Sequence, residues 1–480
     1  MPPVELNLFD YQETDLAGLR EKFRQGMRAP IYVAPCGAGK TTTCAKMVRT
    51  AVSKGLKVLF IAHLRALVGQ CSERLESCQI EHGVIMSESG WMGYSSVMVC
   101  SRDTLIERIR NGTAPAADLV IVDEAHHATS DVYQEVLRFY ASALFVGLSA
   151  TPSRLDGSGL GDVFDSMVTS LTKRELIARG RLVPTKVYAP SQPDLSKAGT
   201  SGTDYNKKDL EEIFMRPKLV GDLVEHHHRL SIGRRALGFA PTRKASAHFV
   251  DAYNANGLRA LHLEAKDKDG YRKEVLARLA AFDLDIVWNV GLFTEGVDCP
   301  FVDTITLARS TYSLSLYLQM IGRGERWLFE KLFCLVLDHA NCTRRHGFSE
   351  EDREWSLEAK AYIVKKIKGD TSPSVRICGN PNGCMRAYQS GEGACPDCGW
   401  KPETRDEGRV EKGDLAPLEQ GDVNSKEHGL SKNPKIRRLQ MIAREFGFKP
   451  GWLWRNIQAV NRGDKPDIPQ RARIWIEQQT

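Results

Sequence analysis

The chain has 480 residues, of which 42% are hydrophobic and 26% charged, and its formal net charge is +6. This length predicts two to four domains, and the composition is ordinary for a globular protein. No apolar run approaches the roughly 20 residues that a membrane helix needs, and the N-terminus lacks the basic and apolar regions of a secretory signal. We therefore expect a cytoplasmic protein without a membrane partner.

Short apolar strands alternate with helical stretches through the first 340 residues. This alternation is typical of parallel sheets that are covered by helices on both faces. It predicts two tandem α/β domains over 1–180 and 181–345, with a Ser-, Gly- and Pro-rich loop at 190–206 between the two series of strands. The predicted strands are 31–34, 58–62, 96–100, 119–122 and 143–148, and then 235–239, 260–263, 286–289, 304–308 and 333–337.

A glycine-rich loop follows the first predicted strand. Its glycines let the backbone N–H groups point at phosphates, its lysine places a charge between the β- and γ-phosphates, and its threonine hydroxyl can bind Mg²⁺. The alternative is an ordinary strand–helix turn. The pattern predicts an ATP site formed by Pro35, Cys36, Gly37, Ala38, Gly39, Lys40, Thr41 and Thr42.

Two adjacent carboxylates follow the fourth predicted strand, in the sequence Asp123-Glu124-Ala125-His126. A carboxylate at the end of a strand can hold Mg²⁺, and its neighbour can orient the attacking water. We predict that Asp123 binds the metal together with Thr41 and that Glu124 activates water. The alternative is a solvated acidic loop. The next residue, His127, has only a structural role in this interpretation.

Further motifs complete a recognisable order. They are Ser149-Ala150-Thr151-Pro152, Thr294-Glu295-Gly296-Val297-Asp298 and Gln319-Met320-Ile321-Gly322-Arg323-Gly324-Glu325-Arg326. Together with the glycine-rich loop and the Asp-Glu-Ala-His sequence, they resemble the motifs of superfamily 2 helicases. The segments 147–157 and 336–340 resemble DEAD/DEAH-box helicases of phages and prophages, which are similar to bacterial RadD-like helicases.

This resemblance implies two RecA-like domains with ATP in the cleft between them. Arg323 and Arg326 would reach the γ-phosphate from the second domain, as arginine fingers do. Phe9 either stacks on adenine or belongs to the core. The remaining implied roles are adenine recognition by Gln12, nucleotide contact by Gly296 and Asp298, and coupling of hydrolysis to domain movement by Ser149, Ala150 and Thr151.

The resemblance also implies contacts with the nucleic-acid backbone. Where many relatives have Val-Gln-Thr, this chain has Arg102-Asp103-Thr104, and an acid there would repel phosphate. We therefore interpret Arg102 as the substitute contact. The full implied set in the two domains is His63, Arg65, Arg102, Thr104, Thr242 and Thr294.

Four of the twelve cysteines cluster in two pairs, Cys378 with Cys384 and Cys395 with Cys398. Four thiolates in this arrangement suit a tetrahedral Zn²⁺ site, and the metal would be structural because so short a segment offers little core. We predict a small zinc ribbon over 376–400. Disulfides are rare in the cytoplasm, so the main alternative is a set of unliganded thiols.

The positive charge is concentrated at one end of the chain. Residues 431–480 hold eleven lysines and arginines against four acids, whereas 401–430 hold eight acids against five bases. We interpret 346–375 as a helical connector, 401–430 as an acidic linker and 431–480 as a helical basic segment. Bases mixed with aromatic residues suit phosphate contact and base stacking. This predicts accessory nucleic-acid binding by Arg437, Arg438, Trp452 and Trp454; the alternative is a helical unit with a tryptophan core.

These observations predict a DNA helicase or translocase that uses ATP, Mg²⁺ and Zn²⁺. It would work in replication, recombination or repair, with single-stranded or branched DNA and other proteins of these processes as partners. Because the motor motifs grip the backbone, an RNA helicase is one alternative. A second is an ATP-gated clamp that remodels DNA without separating its strands. A third is the motor component of a restriction or defence complex, although the sequence shows no nuclease motif.

Overall fold

The computed structural model describes residues 6–86, 90–91, 95–128, 131–154, 157–189, 193–294, 296–358, 363–364 and 375–402. Within these ranges, no helix is long and apolar enough to cross a membrane. Residues 403–480 lie outside the described residues. They contain the predicted basic segment, with Arg437, Arg438, Trp452 and Trp454, and almost all of the predicted acidic linker.

An eight-stranded sheet forms the first domain, in the order β4-β3-β5-β2-β6-β7-β1-β8, and only β3 and β4 pair antiparallel. Its elements are α1 (Asp10–Arg24), β1 (Pro30–Val33), α2 (Lys40–Ser53), β2 (Val58–Ala62), α3 (Arg65–Ser77), β3 (Gly83–Met86), β4 (Gly90–Trp91), β5 (Val97–Ser101), α4 (Arg102–Arg110), β6 (Leu119–Val122), α5 (Asp131–Phe139), β7 (Leu144–Ser149), β8 (Ser166–Thr169) and α6 (Lys173–Ala178).

Two apolar cores cover the two faces of this sheet. Side chains alternate across a strand, so neighbouring residues of β2 enter different cores. Phe60 packs with residues of α1, α2 and α3, whereas Leu59 packs with residues of α4 and α5, such as Tyr133. Burial on both faces explains why the strands read as continuous apolar runs.

The second domain has a six-stranded parallel sheet in the order β13-β14-β12-β15-β16-β9. Its elements are β9 (Thr185–Tyr188), β10 (Thr200–Ser201), β11 (Asp204–Tyr205), α7 (Lys207–Phe214), α8 (Pro217–Leu230), β12 (Ala236–Phe239), α9 (Arg243–Ala255), β13 (Ala260–Leu263), α10 (Asp269–Ala280), β14 (Ile286–Asn289), β15 (Thr304–Leu307), α11 (Leu314–Gly322), β16 (Cys334–Asp338) and α12 (Cys342–His346). Two tandem parallel-sheet domains, predicted from the strand pattern, are thereby confirmed.

Two sequence-based expectations need correction. The stretch 190–206 does not separate the two series of strands, because β9 precedes it and already belongs to the second sheet. Its described part contains the β10–β11 hairpin. The segment 346–375 was predicted as a helical connector, but α12 already ends at residue 346. The described residues after it contain no helix; they form the antiparallel pair β17 (Arg353–Glu354) and β18 (Ile363–Val364).

A third, small unit follows and docks on the second sheet. It is built on the antiparallel strands β19 (Val375–Ile377) and β20 (Ala387–Gln389). Tyr188 of edge strand β9 forms an antiparallel backbone β-bridge with Arg386, and the N–H group of Ala189 donates to the carbonyl oxygen of Met385 at 3.1 Å. This unit therefore covers the β9 edge, which would otherwise present unpaired backbone groups.

Candidate active site

One cleft of about 760 Å³ contains most of the predicted ATP-site side chains from both domains. It lies where the carboxyl ends of the strands meet, which is where open α/β sheets bind ligands. From the first domain it is lined by Phe9, Cys36, Gly37, Gly39, Lys40, Thr41, Thr42, Asp123 and Glu124, and from the second by Gly296, Asp298, Arg323, Arg326 and Trp327.

The glycine-rich loop curls because two of its residues adopt left-handed backbone conformations. Gly37 has φ 83° and Gly39 has φ 81°. A Cβ atom on Gly39 would come within 2.5 Å of the Gln12 amide nitrogen, so a side chain there would also clash. Lys40 folds back and its Nζ donates to the carbonyl oxygens of Ala34 at 2.8 Å and Pro35 at 3.4 Å. Both acceptors are neutral carbonyl oxygens, which charged phosphate oxygens can replace.

The acidic pair follows β6 in a tight turn. The N–H group of Glu124 donates to Asp123 Oδ1 at 3.0 Å. Glu124 itself is left-handed, with φ 47° and ψ 57°, and it is 9% exposed. A non-glycine residue rarely adopts this conformation, and such strain clusters at active sites. The turn aims both carboxylates into the cleft that contains Lys40 and Thr41.

Three histidine rings lie behind the acidic pair. His126 Nδ1 is 3.5 Å from Glu124 Oε2. The His127 ring centroid lies 4.1 Å from that of His126 and 4.1 Å from that of His63. His63, predicted from motif resemblance to touch nucleic acid, is therefore connected to Glu124 through two imidazoles. Nothing in the sequence pattern indicated that His127 would join them.

Phe9 lies at the mouth of the cleft, and Gln12 is buried beside it against the phosphate loop. Gln12 Nε2 donates to the Ala38 carbonyl oxygen at 3.2 Å, and Gln12 Oε1 accepts from the Phe9 N–H group at 3.1 Å. Phe9 is 42% exposed, so it is not a core residue, and the Arg181 guanidinium lies 3.6 Å from its ring centroid. Trp327 is 39% exposed in the same cleft and was not among the predicted residues.

The arginines of the second domain are held by the neighbouring motif. Arg323 donates to the carbonyl oxygens of Val297 and Thr294, both at 2.6 Å. Arg326 donates to the Val297 carbonyl oxygen at 3.1 Å and forms an ion pair with Asp298. Burial and the neighbouring Arg323 lower the pKa of Arg326. Both guanidinium groups thus have backbone partners that phosphate oxygens can replace.

The Ser-Ala-Thr motif after β7 connects the two domains. Ser149 Oγ donates to the Thr151 carbonyl oxygen at 2.6 Å and accepts from the Thr151 N–H group. The Thr151 hydroxyl lies 2.7 Å from the Ser315 hydroxyl of α11, which is the helix that leads to Arg323. Ala150 lies between them, 9% exposed. Ser315 is a functional candidate that the sequence did not single out.

Most predicted backbone-contact side chains have local partners. Arg102 pairs with Asp103 at 2.7 Å, which reduces its availability to phosphate. Thr104 accepts from the Ser101 hydroxyl at 2.8 Å. Thr242 caps α9 and donates to Glu211 at 2.5 Å, while Thr294 donates to the Gly291 carbonyl oxygen at 2.8 Å. Arg65 begins α3, two residues after His63.

The four clustered cysteines converge. Their sulfur atoms all lie within 4.8 Å of one another, with 3.5 Å between Cys378 and Cys398 and 3.7 Å between Cys384 and Cys395. A hydrogen bond from the Asn380 amide lowers the pKa of Cys398 to about 6. Four thiols with one facing centre are the donor set of a structural Zn²⁺ site, so this unit fits a zinc ribbon.

Two family profiles match the chain. The family described as "Type III restriction enzyme, res subunit" matches residues 5–154. The "Helicase conserved C-terminal domain" matches residues 217–327. The two matches fall on the two parallel-sheet domains.

Curated relatives include a phage protein and a yeast protein. The chain is 26% identical over 434 residues to the "51.5 kDa protein" of a Lactococcus phage, covering 90% of this chain and 89% of that protein. It is 27% identical over 400 residues to Saccharomyces cerevisiae IRC3, which carries the name of an ATP-dependent helicase; this covers 76% of the chain and 57% of IRC3. A third relative, the "DNA 3'-5' translocase XPB2" of Sulfurisphaera tokodaii, is 33% identical over 231 residues, covering 47% of the chain and 49% of XPB2.

Solved structures share the fold. An HsdR-subunit fragment of a type I restriction enzyme from Vibrio vulnificus superposes with a TM-score of 0.57 at 19% identity, over 70% of this chain and 65% of that chain. The type ISP restriction-modification enzyme LlaBIII, solved bound to DNA, superposes with a TM-score of 0.53 at 19% identity, over 69% of this chain and 27% of that chain.

Proposed function

The chain belongs to the superfamily 2 helicases and is a nucleic-acid-dependent ATPase, and from this premise we propose that it hydrolyses ATP between its two domains to move along DNA or unwind it. One observation carries the proposal. A single cleft collects a phosphate loop and two carboxylates from one domain and two arginines from the other. Hydrolysis in such a cleft changes the contacts between domains.

In this proposal the first domain binds and activates the nucleotide. Lys40 exchanges its carbonyl partners for phosphate oxygens, beside the left-handed glycines of the loop. Thr41 and Asp123 would hold Mg²⁺, which would neutralise charge on the phosphates. Glu124 orients the attacking water, because its strained backbone directs a nearly buried carboxylate into the cleft.

The second domain responds to the γ-phosphate. Arg323 and Arg326 leave the carbonyl oxygens of Thr294 and Val297 and bind the transferring phosphoryl group. Charge-assisted bonds to phosphate are about twice as strong as bonds between neutral groups, so this exchange favours the closed cleft. Loss of the γ-phosphate returns the arginines to their carbonyl partners, and the cleft relaxes.

DNA is the favoured substrate. The XPB2 relative is named a DNA translocase and LlaBIII was solved bound to DNA, which supports DNA over RNA for this chain. Binding through the phosphate backbone would be sequence-tolerant and salt-sensitive. We extend the proposal to work in replication, recombination or repair with proteins of those processes. Similarity to a phage protein favours the cytoplasm of a bacterial or phage-infected cell.

The cysteine cluster and the residues after it complete the proposal. We assign one structural Zn²⁺ to the four cysteines, whose sulfur atoms already face one centre. The unit anchors on β9 of the motor, so it can carry the following chain close to the second domain. The basic residues 431–480 would add phosphate contacts; deleting them should weaken DNA binding and reduce its dependence on salt.

Lys40→Ala and Glu124→Gln test the ATPase assignment. We expect turnover to fall by about 100-fold or more in each variant, while DNA binding stays measurable. Glu135→Gln is the matched control, because Glu135 pairs only with Arg110 among the interactions described, on the surface. Wild-type turnover in either site variant would contradict the assignment.

ATPase rates with single-stranded DNA, duplex DNA, forked DNA and RNA test the substrate. We expect DNA, and forked or single-stranded DNA above duplex, to stimulate turnover most. A strand-displacement assay on the fork then separates a helicase from a clamp or pure translocase. Stronger stimulation by RNA would overturn the choice of DNA, and stimulation without displacement would exclude unwinding.

A further inference from the structure

A buried carboxylate occupies an unexpected position between the two predicted finger arginines. Glu325 separates Arg323 from Arg326 by sequence, and it is 1% exposed. A charged side chain that is buried so completely needs strong partners, because desolvation disfavours its ionised form. Its partners come from two other parts of the chain.

The first partner comes from the segment that joins the two domains. Lys173 begins α6, after the last strand of the first sheet, and is 9% exposed. Its Nζ donates to Glu325 Oε2 at 2.5 Å. The Thr172–Glu175 capping box fixes the start of α6 and therefore the position of the lysine.

The second partner comes from the segment that follows α12, which we call the strap and define as residues 349–358. Ser349 is 2% exposed, and its hydroxyl donates to Glu325 Oε1 at 2.5 Å. The strap then returns to the first domain. Trp355 packs against both domain cores, and the Leu357 carbonyl oxygen accepts from the Gly161 N–H group at 2.9 Å.

Backbone contacts strengthen the same joint. The Val183 N–H group donates to the Glu325 carbonyl oxygen at 2.8 Å, and Leu182 forms an antiparallel backbone β-bridge with Arg326. The turn is also tight against the phosphate loop, because a Cβ atom on Gly322 would come within 2.5 Å of the Cys36 Cβ atom. A small displacement of this turn would move the arginines relative to the phosphates.

We propose that Glu325 is a positioning residue: held by Lys173 and Ser349, its carboxylate fixes the arginine turn at the orientation that lets Arg323 and Arg326 reach the γ-phosphate. This inference rests on the proposed ATPase function. One carboxylate oxygen contacts α6, which precedes the crossing into the second domain, and the other contacts the strap, which returns to the first domain. Glu325 therefore ties both of these described crossings to the turn that carries the arginines.

The main test is the double variant Lys173→Met with Glu325→Met. Two apolar side chains of similar length can replace a buried ion pair without leaving an unpaired charge, so the fold should persist. Displacing a catalytic group by about 1 Å can cost about 100-fold in rate. We expect kcat for ATP to fall between about 10- and 100-fold and KM to rise by a smaller factor, because the arginines contact the γ-phosphate of bound ATP and gain further interaction with the charge of the transition state.

Single variants separate positioning from folding. Glu325→Gln leaves Lys173 charged and buried without an anionic partner, so it should lower both the melting temperature and kcat. The double variant should recover the melting temperature and not kcat. If kcat recovers together with the melting temperature, the role of Glu325 is structural and the inference is wrong.

Two controls complete the design. Lys273→Met breaks an exposed interdomain ion pair, 3.4 Å from Glu73, and should leave kcat within about twofold. Arg326→Ala reports on the proposed function itself. If Arg326→Ala abolishes turnover and the double variant keeps kcat within twofold, only the positioning role fails; if Arg326→Ala retains turnover, the proposed site fails.

Discussion

Acidification should weaken the second domain through His346, the last residue of α12. This imidazole is 3% exposed, and its Nε2 lies 2.9 Å from the Thr311 carbonyl oxygen, to which it donates. Its ring stacks on Tyr317 with centroids 5.2 Å apart. Burial, with Arg345 and Arg353 nearby, lowers the pKa of His346 to about 4. The folded protein therefore keeps this histidine neutral.

The sign and size of the effect follow from proton linkage. An unfolded histidine has a pKa near 6.5, so between pH 6.5 and 4 the unfolded state binds a proton that the folded state does not. The free energy of unfolding must fall as the pH is lowered through this window. At pH 5 the loss from His346 is about 2 kcal/mol. For a domain of 150–250 residues this corresponds to roughly 4–8 °C in Tm.

His346→Gln isolates this contribution. Glutamine can still donate to the Thr311 carbonyl oxygen, but it does not titrate and cannot stack on Tyr317. We expect the variant to be less stable than wild type at pH 7.5 and to lose less stability on acidification, so that the difference narrows by about 2 kcal/mol at pH 5. Thermal unfolding of both proteins at several pH values measures this difference. Other titrating groups, such as His339 with a pKa of about 3, contribute equally to both proteins, so their effects cancel. A difference that stays constant from pH 7.5 to 5 would refute the reasoning.

Two further predictions concern packing and metal binding. Gly147→Ala in β7 would place a Cβ atom 2.6 Å from the Phe164 ring, so it should destabilise the first domain by about 1–3 kcal/mol in thermal unfolding. Gly69→Ala is its control: in α3 the new Cβ meets nothing within 4 Å, and helix propensity should make it stabilising. By elemental analysis, purified wild-type protein should contain one zinc per chain, and the Cys395→Ser variant should contain less. The control variant Cys36→Ser lies outside the cluster and should keep its zinc. A zinc-free wild type would contradict the metal assignment.

The sequence revealed the central strands because of how parallel sheets are buried. Strands β2, β6 and β14 have the predicted bounds, since both of their faces are covered and their residues form apolar runs. The edge strands β8 and β9 were not predicted. Most of their residues are only partly buried, and their sequences, Ser-Met-Val-Thr and Thr-Lys-Val-Tyr, lack such a run.

The cleft was predictable for a different reason. A phosphate loop must place glycines where the backbone turns left-handed, so local sequence carries the signal at Gly37 and Gly39. Contacts made by residues far apart in the chain carry no such signal. Thr151 meets Ser315 across 164 positions and Lys173 meets Glu325 across 152, and each of these residues is unremarkable in its own segment.

Two kinds of contact at the cleft should respond differently to ATP: contacts within each domain that phosphate can replace, and buried contacts between the domains. Lys40, Arg323 and Arg326 bond to backbone carbonyl oxygens that phosphate can replace. The Glu325 joint and the Thr151–Ser315 contact involve side chains buried away from solvent, which phosphate cannot reach without unpacking them. Nucleotide binding should therefore rotate the domains about an edge that stays fixed, and the largest change of distance should occur at the mouth of the cleft, between Phe9 and Trp327.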